Sequence, residues 1–405
     1  MTFFSSDEVT ANIIKNGRTL GCPACKLYKQ ANSPKMEPYG NFKKKILNIG
    51  KFPNDIDDNK GKPFQGKTGR RLERVYREMG INLFDDCLNI NAINCHPPDN
   101  RDPKPFEIDC CRVEKVESII TKYKPKVIVA LGDFALQSLI GEKWKKDLGA
   151  ISKWRGFIIP DFDYKCWIAP VYHPDHVGHD GGVAIETIWK QDLKKALEHA
   201  NKPLPGKINA NIKIIKDLKQ LEKFNSLSSI AFDYETTGLK PYAKGHRIIS
   251  CSIAVSPEDV VAFMMPETRY DRRPLMALLS NPGIGKRAHN LKFEETWTKI
   301  RLRTQIKNWE WDSMLAAHLL DNRPGITGLK FQTYVNFGVP DYSSKVESYL
   351  KGNNKNDNSL NKIQELIKSK DGQFELLHYN AWDSIYEYQL SMKQIETIEY
   401  DYLPF

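Results

Sequence analysis

No run of 18 apolar residues occurs anywhere in the 405-residue chain, which excludes a membrane-spanning helix. The N-terminus, MTFFSSDEVT, lacks the basic stretch and apolar core of a secretory leader, so a soluble, cytoplasmic protein with no membrane partner is expected. Acidic charge is in the minority: 60 Lys and Arg stand against 50 Asp and Glu, a net +10. A basic excess speeds encounter with phosphodiester backbones but does not by itself establish a nucleic-acid partner. Only eight Cys are present, and in a reducing compartment they point to metal or redox chemistry rather than disulfides. A nucleotide-hydrolysing loop is missing despite its letters. Gly61-Lys62-Pro63-Phe64-Gln65-Gly66-Lys67-Thr68 satisfies G-x-x-x-x-G-K-[ST], yet Asp57-Asp58-Asn59-Lys60 before it reads as a polar loop instead of the hydrophobic strand such a loop requires.

What the chain does contain is an ordered set of four carboxylates and a phenol in its second half. Asp233 and Glu235 lie in FDYETTG, Glu294 in HNLKFEET, and Tyr379 and Asp383 in YNAWD. Residues 228–232 read as a buried strand running into Asp233, and alternation along a strand puts Asp233 and Glu235 on one face. Tyr379 and Asp383 are four apart in a helical pattern and share a face too. Clustered oxygen ligands suit Mg²⁺ or Mn²⁺, and two such ions can stabilise the attacking and leaving oxygens of an in-line displacement at phosphorus.

This order resembles the proofreading 3′→5′ exonuclease domain of family A DNA polymerases, the DEDDy class. The resemblance implies metal ligation by Asp233, Glu235, Glu294 and Asp383, with Glu294 in the second acidic position and Tyr379 orienting the attacking water. Glu294 stands where the family usually has Asp, which keeps the charge and moves it outward by one methylene. Asp312 in WDSMLAAHLLD and Gly328-Leu329-Lys330 at a helix start match scaffold segments. DNA is the implied partner, single-stranded or frayed at its 3′ end.

The first half carries Cys22 and Cys25 as CxxC, Cys95 in NCHPPDNRDP, and adjacent Cys110 and Cys111. Four thiolates from Cys22, Cys25, Cys95 and Cys111 can hold an iron–sulfur cluster or a zinc ion, and spacing favours neither. Cys87, Cys166 and Cys251 read as isolated small hydrophobes. The words CPACKL, ILNIGKFPN, GKPFQGKTGRRL, NINAINCHPPDNRDP, CCR and VYHPD follow one another in the order of family 4 uracil-DNA glycosylases. That resemblance, over roughly residues 20–200, implies a [4Fe-4S] cluster on the four cysteines, with Cys111 fitting the register better than Cys110. It further implies a base pocket in which Phe64 stacks, Asn91 reads the uracil edge and His173 donates to the departing base, since an enzyme acting on a base must grip its face and edge outside the stack.

Three residues depart from that pattern. Gly50-Lys51-Phe52-Pro53-Asn54 stands where the family has Gly-Glu-Ala-Pro-Gly, so Lys51 replaces the water-positioning carboxylate and Phe52 is expected to crowd the pocket. Asp175 replaces a serine after His-Pro. A desolvated Lys51 amine would attack the sugar, whereas a protonated one would pair with a phosphate.

The expected fold is α/β: a uracil-DNA glycosylase-like α/β/α domain over 1–201, a linker over 202–207, and an RNase H-like (DnaQ-like) exonuclease domain with a mixed sheet over 208–405. Lys202-Pro203-Leu204-Pro205-Gly206 supplies the Pro and Gly stops. Strands are expected near 127–131, 228–233, 247–255 and 259–264, and an exposed mobile loop over 351–358. The chain ends at Phe405 with no stretch for nucleotide incorporation, so a replication or repair accessory protein working beside a separate DNA polymerase is expected. Two alternatives stay open: a first half that only reads uracil or a modified base, and a wholly structural polymerase subunit.

Overall fold

The computed structural model describes residues 13–15, 17–179, 182–352 and 359–401, and most of the expected 351–358 loop lies outside them. The chain divides into two compact units, Met1–Pro205 and Gly206–Phe405. Among the described residues no helix is long and apolar enough to cross a membrane.

The first unit opens with a two-stranded antiparallel ribbon, β1 (Ile13–Lys15) and β2 (Arg18–Leu20). Its main sheet comprises β3 (Ile46–Gly50), β4 (Cys87–Asn91), β5 (Val127–Leu131), β6 (Ile159–Asp161) and β7 (Cys166–Val171), in the order β4-β3-β5-β7-β6. All neighbours are parallel except the β6–β7 pair. Every residue of β3, β4 and β5 is buried, which is why VIVAL carries no polar alternation: both faces are covered. The helix Lys67–Glu78 contributes Leu72, Val75 and Tyr76 to this core, and Gly182–His199 contributes Trp189, Leu193 and Ala196. Asn48 and Asn89, polar within this layer, bond each other at 2.9 Å, and the Tyr76 hydroxyl donates to Asn48 at 2.7 Å. Residues 57–60, expected as a polar loop, lie in the helix Asp55–Lys60. Asn54 accepts from the amides of Ile56 and Asp57 and so caps it, a preference that outweighs the segment's polarity.

Gly50, Asn91 and Val171 are the carboxyl ends of three parallel strands, and β3 leads to β4 on one side while β5 lies on its other. Ligand crevices of open α/β sheets form outside such strand ends, where the order reverses.

The second unit has β8 (Asn211–Ile214), β9 (Ser229–Thr236), β10 (Ile248–Ala254), β11 (Asp259–Met264), β12 (Gly285–Ala288) and β13 (Trp309–Asp312), in the order β13-β12-β9-β10-β11-β8. β9, β10 and β11 are antiparallel neighbours and the outer pairings are parallel, so the sheet is mixed. Alternation along β9 divides its residues cleanly. Ile230, Phe232 and Tyr234 enter one core with Leu275, Leu278 and Trp297. Ala231 faces the other way, with Ala254, Ala262 and the long helix Lys370–Asp401 through Leu377, Ala381 and Ile385. Small side chains at these positions let the helix approach the sheet closely, and Asp233 and Glu235 share the face that it covers.

Candidate functional site

Asp233 and Glu235 on β9 meet Asp383 on the long helix, with one carboxylate oxygen of each lying within 4.8 Å of the others. Burial raises the pKa of Asp233, and the charge of Asp383 raises it further; Glu235 is raised by burial and then by Asp233 and Asp383. Mutually repelling buried carboxylates of this kind are costly unless a cation neutralises them. The donor set is all oxygen, which suits a hard divalent ion.

Glu294 lies outside the group of three but beside it. It projects from the helix Leu291–Trp297, is 2 % exposed, and its Oε2 is buried with no hydrogen-bond partner. Its pKa is raised by burial and by Asp233. Asp312 sets the position of this helix: it accepts from the amides of Asn290 and Leu291 at 3.0 and 3.1 Å while capping the following helix through Met314 and Leu315. Asn290 turns there with φ +72°, a conformation that Asn tolerates better than most residues.

Tyr379 sits one helical turn before Asp383, beside groups to which the sequence motifs gave no role in the site. Lys330, on the helix Leu329–Phe337, donates from Nζ to the Tyr379 hydroxyl at 2.6 Å and lies 3.7 Å from Asp383. The same ammonium lies over the rings of Tyr379 and Tyr342, at 4.3 and 4.6 Å from their centroids, and those rings stack at 5.9 Å. The Tyr342 hydroxyl donates to Asp383, and Asn380 donates to Asp233 Oδ2 at 2.7 Å. Asn380 stands between Tyr379 and the rest of YNAWD, so a signal for it was present in the sequence; Tyr342 had none.

In the first unit, Gly50, Phe64 and Asn91 converge. A Cβ at Gly50 would collide with Asn91 Oδ1 and the tip of the Phe64 ring. Phe64 turns at φ +64°, and Asp57 holds its loop by accepting from the Gln65 amide at 2.6 Å. Asn91 Nδ2 is buried with no partner, an amide donor awaiting an acceptor. His173 follows β7, and its Cβ packs where Gly132 has no side chain. The Asp175 amide donates to His173 Nδ1 at 3.3 Å, which leaves the proton of a neutral ring on Nε2. Burial lowers the His173 pKa to about 4, against opposing pull from Asp175.

A histidine held neutral in the folded state charges on unfolding, so its contribution is intact above about pH 6.5 and is lost as pH falls towards 4. Thermal melts of wild type and His173→Gln are therefore expected to diverge over that window, with wild type losing stability more steeply on acidification. Parallel curves would contradict the buried ring.

Lys51 follows Gly50, and its Nζ pairs with Asp102 Oδ1 at 2.7 Å while lying over the Phe52 and Phe134 rings at 4.8 and 5.2 Å. Phe52, expected to crowd the base pocket, packs with Phe134, Cys25 and Cys111 against the buried cluster of Leu27, Ile93, Cys95 and Ile108. Asp175 accepts from the Thr68 hydroxyl at 2.5 Å.

Cys22 and Cys25 bound one short helix, Cys95 follows β4, and Cys111 closes the helix Pro105–Cys111. All eight cysteines are free thiols. Burial raises the Cys22, Cys95 and Cys111 thiols, and each feels the charge of others in the set: Cys95 that of Cys22 and Cys25, Cys111 that of Cys95 and Cys22. Backbone amides of Lys35 and Asn94 donate to Cys95 and Cys111 sulfurs at 3.2 and 3.3 Å. Thiols gathered in an apolar shell with amides aimed at sulfur fit a thiolate-ligated cluster. Cys110 is fully buried and also feels Cys25 and Cys22.

The Uracil DNA glycosylase superfamily pattern matches residues 37–199. The type-4 uracil-DNA glycosylase of Saccharolobus solfataricus is 32% identical over 190 residues, 45% of this chain and 84% of that protein. That of Archaeoglobus fulgidus is 31% identical over 191 residues, covering 46% and 92%. The chain belongs to the uracil-DNA glycosylase superfamily.

Its glycosylase-like unit is followed by a 3′-5′ exonuclease domain, whose family pattern matches residues 211–357 and so spans Asp233, Glu235 and Glu294. That domain implies a divalent metal, and the glycosylase-like unit groups with an iron–sulfur family. The DNA polymerase of Bacillus phage SP01 is 23% identical over 334 residues, 73% of this chain and 34% of that protein. A match covering that share cannot be confined to the glycosylase-like unit or to the exonuclease unit.

Proposed function

We propose that this protein is a DNA-processing enzyme in which Asp233, Glu235 and Asp383 bind two divalent ions and Tyr379 orients a water for 3′→5′ hydrolysis of a DNA end. The convergence of three carboxylates from β9 and the long helix, that of Asp383 buried and those of Asp233 and Glu235 half-buried, carries this reading. Bound there, Mg²⁺ or Mn²⁺ supplies positive charge to the attacking and leaving oxygens. The chain's own contribution is placement. Asn380 fixes the Asp233 carboxylate, Tyr342 fixes Asp383, and Lys330 holds the Tyr379 oxygen while offsetting local negative charge. Glu294, on the helix Leu291–Trp297 and within reach of the Asp233 charge, is the fourth acid of the set. Single-stranded or frayed 3′ ends are the substrate we infer. Incubation of 3′-labelled single-stranded and duplex DNA with and without Mg²⁺ tests this directly, and absence of Mg²⁺-dependent shortening would sink it.

The first unit, in this reading, carries a [4Fe-4S] cluster on Cys22, Cys25, Cys95 and Cys111 and grips an extruded pyrimidine. Phe64 offers a ring, Asn91 an unpaired amide and His173 an Nε2–H donor. No carboxylate takes the place of Lys51, whose amine is engaged as the cation of an ion pair with Asp102. Loss of a positioned acid–base group costs about 10²–10⁴-fold, so base recognition is retained and excision is slow. Borohydride treatment on uracil-containing DNA is expected to trap no covalent adduct. An adduct that vanishes in Lys51→Ala would instead make this unit a strand-cleaving glycosylase.

The similarity to a phage DNA polymerase across more than one unit supports work beside a polymerase, in replication or repair. Free thiols throughout support a cytoplasmic setting.

A further inference from the structure

Away from the carboxylates, the exonuclease unit contains a cavity of about 410 Å³ where β10 begins and β11 ends. Three guanidinium groups line it, those of Arg247, Arg272 and Arg301, together with His246, and the single acid on its wall is Glu267. The Glu267 side chain is 91 % exposed and lies 3.7 Å from Arg247, so it offsets part of that charge and leaves the wall net positive. Two of the arginines are held in place by carbonyls. Arg272 donates from Nε to Pro266 at 2.6 Å and from Nη2 to Glu267 at 3.0 Å, and Arg301 donates from Nη2 to Ala243 at 2.8 Å. Their forks are thus fixed before any ligand arrives, which reduces the ordering cost of binding. Arg301 Nε is buried with no hydrogen-bond partner, a donor that the protein's own contacts leave unused. Methionine and isoleucine side chains, Met264, Met265 and Ile249, supply an apolar wall beside the cations. Guanidinium forks next to an apolar surface, in a volume within the usual range for small-molecule sites, match a phosphate joined to a sugar and base.

The cavity is connected to the carboxylates through backbone. Glu235 pairs with Ser250 and Thr236 with Ile248 across β9 and β10, and the Arg247 amide donates to the Thr237 hydroxyl at 2.8 Å. Arg247 therefore leaves the strand immediately before the segment that faces Glu235.

We propose that Arg247, Arg272 and Arg301 form a second nucleotide-phosphate site in the exonuclease unit, separate from the carboxylate centre. The proposal rests on the nuclease reading. The phosphate belongs either to an internal position of the DNA strand being shortened or to a free nucleoside monophosphate, the product class of that reaction.

Binding is measured on the full chain with Ca²⁺ in place of Mg²⁺, using labelled oligothymidylate by anisotropy and thymidine 5′-monophosphate by calorimetry. Arg247→Gln with Arg301→Gln is expected to weaken the relevant probe about tenfold and to reduce the salt slope for the strand by about 0.7 for each lost contact. Loss confined to the oligonucleotide assigns the site to the strand; loss of monophosphate binding assigns it to the free nucleotide. Glu267→Gln, an exposed change that removes the opposing charge, should tighten the same probe severalfold, a gain that misfolding cannot produce. Affinities for both probes that are indifferent to the arginine and glutamate changes overturn the proposal. Wild type that binds both probes but never shortens DNA in Mg²⁺ overturns the nuclease reading instead, and leaves the cation-lined site standing.

Discussion

Asp233→Ala and Asp383→Ala are each expected to reduce Mg²⁺-dependent shortening of a 3′-labelled oligonucleotide by about 10³-fold or more while DNA binding persists. Metal-borne charge stabilisation at a transferring phosphoryl group is worth several kcal/mol, and each ~1.4 kcal/mol is a factor of ten in rate. The two residues come from different elements, β9 and the long helix, so loss in both variants tests the convergence and not one strand. Neither change should unfold the unit. Each removes one charge from a group of close carboxylates, and Asp233→Ala without metal is expected to melt no lower than wild type. Glu294→Asp is the milder companion: it shortens the reach towards Asp233 by one methylene and should retain measurable activity. Wild-type rates in Asp233→Ala or Asp383→Ala would remove the assigned active site altogether.

Lys330 separates positioning from ligation. Its Nζ reaches both Tyr379 and Asp383, so loss of the amine frees the phenol without deleting a carboxylate. Tyr379 and Lys330 are 49 residues apart, and that distance explains why one was legible in the sequence and the other was not. Tyr379 and Asp383 announce themselves by a four-residue interval on one helix, and Asp233 and Glu235 by a two-residue interval on one strand, because those periods are fixed by backbone geometry. Lys330 appeared only as part of a helix start, since nothing local says towards which neighbour a lysine will extend. Phe52 illustrates the same limit. Its bulk beside Lys51 was plain from the sequence, but its direction depends on the cysteine-lined apolar cluster, which assembles from segments far apart in the chain. The sheets fared better. VIVAL reads as a doubly covered strand and FDYET as an alternating one because burial writes itself into every residue of a strand. The helix Asp55–Lys60 escaped notice because its cap, Asn54, lies just ahead of a run of charges that otherwise resembles a loop.

The second large effect concerns colour. Protein produced with ample iron is expected to be brown, with broad absorbance near ~400 nm from thiolate-bound iron–sulfur chemistry, and Cys111→Ser should bleach it while Cys110→Ser leaves it largely intact. The adjacent sulfurs are distinguished by their surroundings. Cys111 packs against the cluster that includes Cys95 and receives the Asn94 amide, whereas Cys110, 1 % exposed, is not part of that packing and takes its backbone hydrogen bond from Gly21. A serine at 111 removes a soft, charged ligand and leaves the Asn94 amide aimed at a poorer acceptor. A serine at 110 places a hydroxyl in a fully buried site, so its effect should fall on melting temperature more than on absorbance. Iron analysis beside the spectra separates the two outcomes. Stoichiometric zinc without iron would replace the cluster with a tetrahedral thiolate site, and equal bleaching by both serines would leave the fourth ligand unassigned to Cys111. Loss of colour should also bring loss of base binding, because the loop that carries Cys95 begins just after Asn91, the amide turned towards the pocket.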